Sequence, residues 1–162
     1  MIVFAHGLEG SPHGMKPSAM REAGLEVVAP DFSGMVLQDR IVLLQETLKA
    51  HPQTVLCGSS YGGLASAYVA HHESLSITGL LLLAPALGLK EPPVKELGEL
   101  CAPPGIPTVI IHGVDDSICP IADSRAYVGR SHGQTQLLEV NDGHRLSQSV
   151  PRILDALNEL GA

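Results

Sequence analysis

Residues 54–66 read Thr54-Val55-Leu56-Cys57-Gly58-Ser59-Ser60-Tyr61-Gly62-Gly63-Leu64-Ala65-Ser66. A short apolar run ends in a Gly-x-Ser-x-Gly turn and passes into small residues, the pattern of a strand feeding a helix through a tight bend. Such a bend lifts Ser60 above the edge of a sheet in a strained backbone conformation. Side chains two residues away on either side would collide there, and Gly58 and Gly62 have none. Small Gly63, Ala65, Ala67 and Ala70 let the helix lie close to the sheet. Its N-terminus then points at Ser60 and favours developing negative charge. The bland alternative is a glycine-rich turn holding a phosphate, but no Lys or Arg lies near the motif. Ser59 is the rival hydroxyl. Its equivalent neighbours are Cys57 and Tyr61, which do not supply the two glycines.

Working outward, the chain alternates short apolar runs with helical patterns. Strands are expected at 2–5, 26–29, 54–57, 79–83, 108–112 and 136–140. They are rich in Val, Ile and Leu without polar alternation, as in strands buried on both faces of a parallel sheet. Helices are expected at 16–23, 37–50, 62–72, 94–101, 121–128 and 147–160. The last carries Val150, Ile153, Leu154, Leu157 and Leu160 on one face. This rhythm predicts an α/β fold of three layers: a doubly wound, six-stranded parallel sheet with helices on both faces. The expectation is one domain over 1–162. The segment 85–107, with six prolines, is a surface crossover and a candidate small lid.

In an open parallel sheet, ligands bind beyond the carboxyl ends of the strands. The residues there include His6-Gly7, Asp31, Ser60, Asp115-Asp116 and Asp142-Gly143-His144. A hydroxyl needs a base, and His144 follows the last strand on the correct rim. His132 precedes that strand, and His71 and His72 end the helix after Ser60. His13 and His51 read as solvated, and His6 and His112 as hydrogen-bonded wall residues. A base needs an orienting carboxylate. Asp115 and Asp116 are adjacent, so only one should face the histidine. Asp31 and Asp142 read as turn-forming or helix-capping residues.

The chain of 162 residues carries a formal charge of −7, with 44% hydrophobic and 17% charged residues. That composition is globular. The acidic balance argues against nucleic acid and anionic membranes as partners. No apolar run approaches the roughly 20 residues of a membrane span, and the opening five residues are too short for a signal-peptide core. Cys57, Cys101 and Cys119 form no C-x-x-C pair and predict reduced thiols in a cytoplasmic protein. No His/Cys cluster has metal-ligand spacing, so no metal and no cofactor are expected.

Four stretches together resemble the α/β-hydrolase fold serine hydrolases: His6-Gly7, Gly58 to Gly63, His112-Gly113-Val114-Asp115-Asp116-Ser117-Ile118-Cys119-Pro120, and Gly143-His144. They occur in the family's order. In the family's HGxxDxxxP pattern the acid is the fifth residue, which falls on Asp116. The resemblance also implies that the oxyanion-hole amides are those of Leu8 and Tyr61. The stretch Phe4 to Pro12 and the double serine are most similar to small capless bacterial esterases of the YqiA type. Against that group, the intact His112-Gly113 lies nearer the superfamily norm. The chain is also shorter, and the two antiparallel strands that usually open the full fold are expected to be absent. The implied strand order is 2-1-3-4-5-6.

The resulting expectation is a serine esterase acting on a small acyl ester, with Ser60, His144 and Asp116 as nucleophile, base and orienting acid. Met35, Leu87 and Leu89 are the candidate wall of a small acyl pocket. A thioesterase or small peptidase would use the same residues, and a non-catalytic binder of the same fold is the rival from another class. Oligomeric state is not legible.

Overall fold

A computed structural model describes residues 1–73 and 77–162. The strands are β1 (Ile2–Ala5), β2 (Val27–Val28), β3 (Thr54–Ser59), β4 (Ile77–Leu83), β5 (Thr108–Gly113) and β6 (Thr135–Val140). The helices are α1 (Met15–Glu22), α2 (Leu37–Ala50), α3 (Tyr61–His72), α4 (Ile121–Arg130) and α5 (Val150–Glu159). All six strands run parallel in the order β2-β1-β3-β4-β5-β6. That is the expected doubly wound α/β architecture.

Successive strand residues point to opposite faces, and the core divides accordingly. On one face Val3, Leu56, Leu80, Leu82 and Ile110 pack with Leu44 of α2, Leu64 of α3 and Tyr127 of α4. On the other, Ile2, Phe4, Val55, Leu81 and Ile111 pack with Met20 of α1 and Ile153 and Leu157 of α5. β1, β3 and β5 are buried along their whole length, which is why they lack polar alternation.

The expected helix at 94–101 does not form. Turns run through 92–98, and Gly98 sits at φ +84°, outside helical geometry. The Glu99 carboxylate accepts from the Lys95 and Glu96 amides, so a local side-chain cap replaces the helical ladder. Val94 and Leu100 are buried while Leu97 is exposed.

Sequential order reverses between β1 and β3, the switch point where doubly wound sheets open a crevice. Register pairs Ala5 with Gly58, so the loop after β1 stands beside the turn after β3.

Candidate active site

Ser60 occupies that turn at φ +55°, ψ −117°. A non-glycine residue in this region is strained and persists only where surrounding contacts hold it. Here the Ser60 amide donates to the Leu83 carbonyl at 2.9 Å, and its carbonyl accepts from Ala86 at 3.0 Å. The flanking glycines are required by packing. A Cβ at Gly58 would lie 2.6 Å from the Gly62 carbonyl oxygen, and one at Gly62 would lie 2.6 Å from the His6 carbonyl oxygen. These contacts are to backbone, which cannot swing aside.

His144 reaches Ser60 from the loop after β6. Its Nε2 lies 2.9 Å from Ser60 Oγ, and its Nδ1 lies 2.7 Å from Asp116 Oδ2. With the carboxylate accepting from Nδ1–H, Nε2 is free to accept the hydroxyl proton. Asp116 Oδ1 accepts the Ile118 and Cys119 amides, each at 2.8 Å. Burial opposes ionisation of Asp116. The His144 bond and these amides outweigh it and hold the carboxyl below the ordinary aspartate value. Asp115 is exposed, and among the described residues only its amide is engaged, with the Asp142 carbonyl at 3.2 Å. Asp142 spends its oxygens on Gly143, Gln148 and Ser149, closing the loop that presents His144. Asp31 accepts from Ser33.

Leu8 lies in the turn after β1, and Tyr61 is the first residue of α3. Among the described residues, neither amide donates a hydrogen bond. A Cβ on Gly7 would come within 3.1 Å of Ser60 Cβ, so the Gly7-Leu8 turn lies against the serine. The three wall candidates differ. Leu87 is 7% exposed within the core, Met35 packs against that core, and Leu89 is 43% exposed. Beside Ser59, Gly7, Gly10, Met15, Lys16 and Arg145 line a cavity of about 250 Å³. No group of three or more His, Cys, Asp or Glu among the described residues could hold a metal ion, and no described helix is long and apolar enough to cross a membrane.

A family model described as serine aminopeptidase, S33 matches residues 3–104. The chain belongs to that family of α/β hydrolases. The match includes Ser60 and ends before Asp116 and His144. The hydrolase is similar to a Xanthomonas campestris pv. campestris protein ascribed to the alpha/beta hydrolase superfamily, with 28% identity and a TM-score of 0.79, over 98% of this chain and 95% of the other. It shares its fold with the Paleococcus ferrophilus monoacylglycerol lipase, at TM-score 0.81 and 15% identity over 99% and 94%. Mouse alpha/beta hydrolase domain-containing protein 10 gives 0.83 and 18% over 98% and 88%. No curated protein matches the chain by sequence.

Cys119 and Arg40 stand at the site of this hydrolase without a role read from the sequence, while His112 is hydrogen-bonded there as expected. His112 Nε2–H donates to the Cys119 carbonyl at 2.9 Å, and its Nδ1 accepts from Ser124 Oγ at 2.8 Å. Cys119 is buried; burial first, and then Asp116, pushes its thiol up to about 11. Arg40 is buried beneath the turn after β1. The HGxxDxxxP spacing was a signal for His112. Nothing in an amphipathic helix pattern marks Arg40.

Proposed function

We propose that the hydrolase is a serine carboxylesterase of short-chain acyl esters. The observation that carries this reading is the aligned contact Ser60 Oγ–His144 Nε2 at 2.9 Å and His144 Nδ1–Asp116 Oδ2 at 2.7 Å. Ser60 Oγ attacks the acyl carbonyl while His144 Nε2 takes its proton. Asp116 holds the tautomer and stabilises the imidazolium. The alcohol leaves with that proton, and water attacks the acyl-enzyme by the same route in reverse. The Leu8 and Tyr61 amides would receive the oxyanion; one such donor is typically worth about 3–4 kcal/mol in the transition state. The likeness of the 4–12 stretch to YqiA-type esterases points the same way. Residues 85–107 form one wall, with Leu89 exposed to an acyl chain.

A fluorophosphonate probe tests the mechanism. It should label Ser60, and Ser60→Ala should lose both labelling and hydrolysis, by on the order of 10⁶ in kcat if the three residues act as a unit. Ser59→Ala should keep most activity. Retained hydrolysis in Ser60→Ala would refute the reading. A panel of p-nitrophenyl esters, thioesters and aminoacyl p-nitroanilides separates esterase from thioesterase and peptidase.

A further inference from the structure

Arg40 is the largest fully buried side chain among the described residues, at 1% exposure. It sits in the first turn of α2, whose other buried positions are Leu37, Ile41, Leu44 and Leu48. An apolar residue would satisfy the packing there. Burying a guanidinium is costly without a partner charge, and no described carboxylate forms an ion pair with it within 4.0 Å. The group instead faces one structure. Nη1 donates to the His6 carbonyl at 2.7 Å and Nε to the Met35 carbonyl at 3.1 Å. The guanidinium carbon lies 4.8 Å from the centre of the Tyr61 ring and 5.6 Å from that of Phe32. Among the described residues, Nη2 has no hydrogen-bond partner.

Two of these contacts reach the segments that carry Leu8 and Tyr61, the residues proposed to supply the oxyanion amides. The His6 carbonyl belongs to the peptide that enters Gly7-Leu8. The Tyr61 ring belongs to the residue that opens α3, and its hydroxyl is pinned to Glu91 Oε1 at 2.7 Å. The same His6 carbonyl abuts Gly62 closely enough that a Cβ there would lie 2.6 Å from it. His6 is held from its other side as well: its Nε2 accepts from the Phe32 amide at 2.9 Å and its Nδ1 donates to the Gly7 carbonyl at 2.8 Å. We infer that Arg40 is a positioning residue for the oxyanion hole, its buried guanidinium fixing the Leu8-bearing turn and the Tyr61-bearing helix start at one separation. The inference rests on the serine-hydrolase reading. Oxyanion donors act only when held where charge develops, so a small loosening is felt in the transition state more than in substrate binding.

The test compares wild type, Arg40→Lys and Arg40→Met as full-length chains, on p-nitrophenyl butyrate and with an alkyl boronic acid that forms a tetrahedral anion on the serine. Arg40→Met should lower kcat about 10- to 100-fold, less than the loss of a whole donor, with KM within about twofold. The boronic acid Ki should rise in parallel with the fall in kcat. Arg40→Lys should fall between, because an ammonium cannot reach both carbonyls and lie flat on the Tyr61 ring. If Arg40→Met does not fold, Arg40→Lys, which keeps the charge and most of the stem, decides. Folded variants with kcat and Ki at wild-type values would overturn the inference and leave Arg40 a packing residue. Ser60→Ala run alongside separates the failures. Hydrolysis surviving in it rejects the serine reading and the role of Arg40 with it. Hydrolysis lost there but unchanged in the Arg40 variants rejects only the latter.

Discussion

His112 Nε2 stands 3.1 Å from Asp116 Oδ2, and neither side chain has any exposed surface. The carboxylate therefore meets two imidazoles, His112 from β5 and His144 from the loop after β6. His112 also bridges the Cys119 carbonyl and the Ser124 hydroxyl, which ties the turn carrying Asp116 to the start of α4. Replacing it leaves buried polar groups unpaired, each worth about 1–3 kcal/mol. His112→Ala should lower the urea unfolding free energy by roughly 2–4 kcal/mol, by that penalty plus a cavity term. It should also reduce kcat/KM in the folded protein. Unchanged urea midpoints would show that the contact carries no weight.

Asp116→Asn should cost kcat on the order of 10⁴, by presenting the wrong partner to His144 Nδ1. Asp115→Asn should cost little, because Asp115 is exposed and, among the described residues, engaged only through its amide. Steady-state kinetics on one ester decides the ranking, and the reverse order would move the acid by one residue. In the same assay His144→Ala should inactivate and His132→Ala should not.

Asp142 supplies a pH-dependent share of stability. Burial opposes its ionisation, but the Ser149 hydroxyl and the Gly143, Gln148 and Ser149 amides outweigh it and depress its folded pKa. A carboxyl depressed in this way stabilises the fold above its unfolded pKa of about 3.9, and that contribution is lost as pH falls through the lower folded value. Thermal melts of wild type and Asp142→Asn should therefore differ most above about pH 5 and converge towards pH 3 and below. A gap that stays constant across that range would contradict the assignment.

The acyl preference should be short. Leu87 is committed to the core and Leu89 alone of the three wall candidates is well exposed. Each buried methylene is worth about 0.8 kcal/mol, so gain should stop once the chain passes this small surface. A series of p-nitrophenyl esters from acetate to palmitate should peak in kcat/KM at about two to six acyl carbons. Rates still climbing at about twelve carbons would reject a small wall.

What the amino-acid order determined alone was whatever depends on near neighbours. The strand runs, the span of α2 at 37–50 and the glycine spacing around Ser60 are local steric facts. Parallel strand direction followed from uninterrupted apolar strands separated by helical patterns, and the strand order from the family resemblance. Between Asp115 and Asp116, local reading left the choice open and family spacing made it. The fold was needed wherever the deciding atom lies far along the chain. The 94–101 stretch reads as helical by apolar spacing, but Gly98 at positive φ and the Glu99 cap hold it in turns. Arg40 looks like one more charge on a surface helix, yet Tyr61 and Phe32 close over it from 21 residues downstream and eight upstream. Burial of a polar group is set by what packs onto it, and only the tertiary structure decides that.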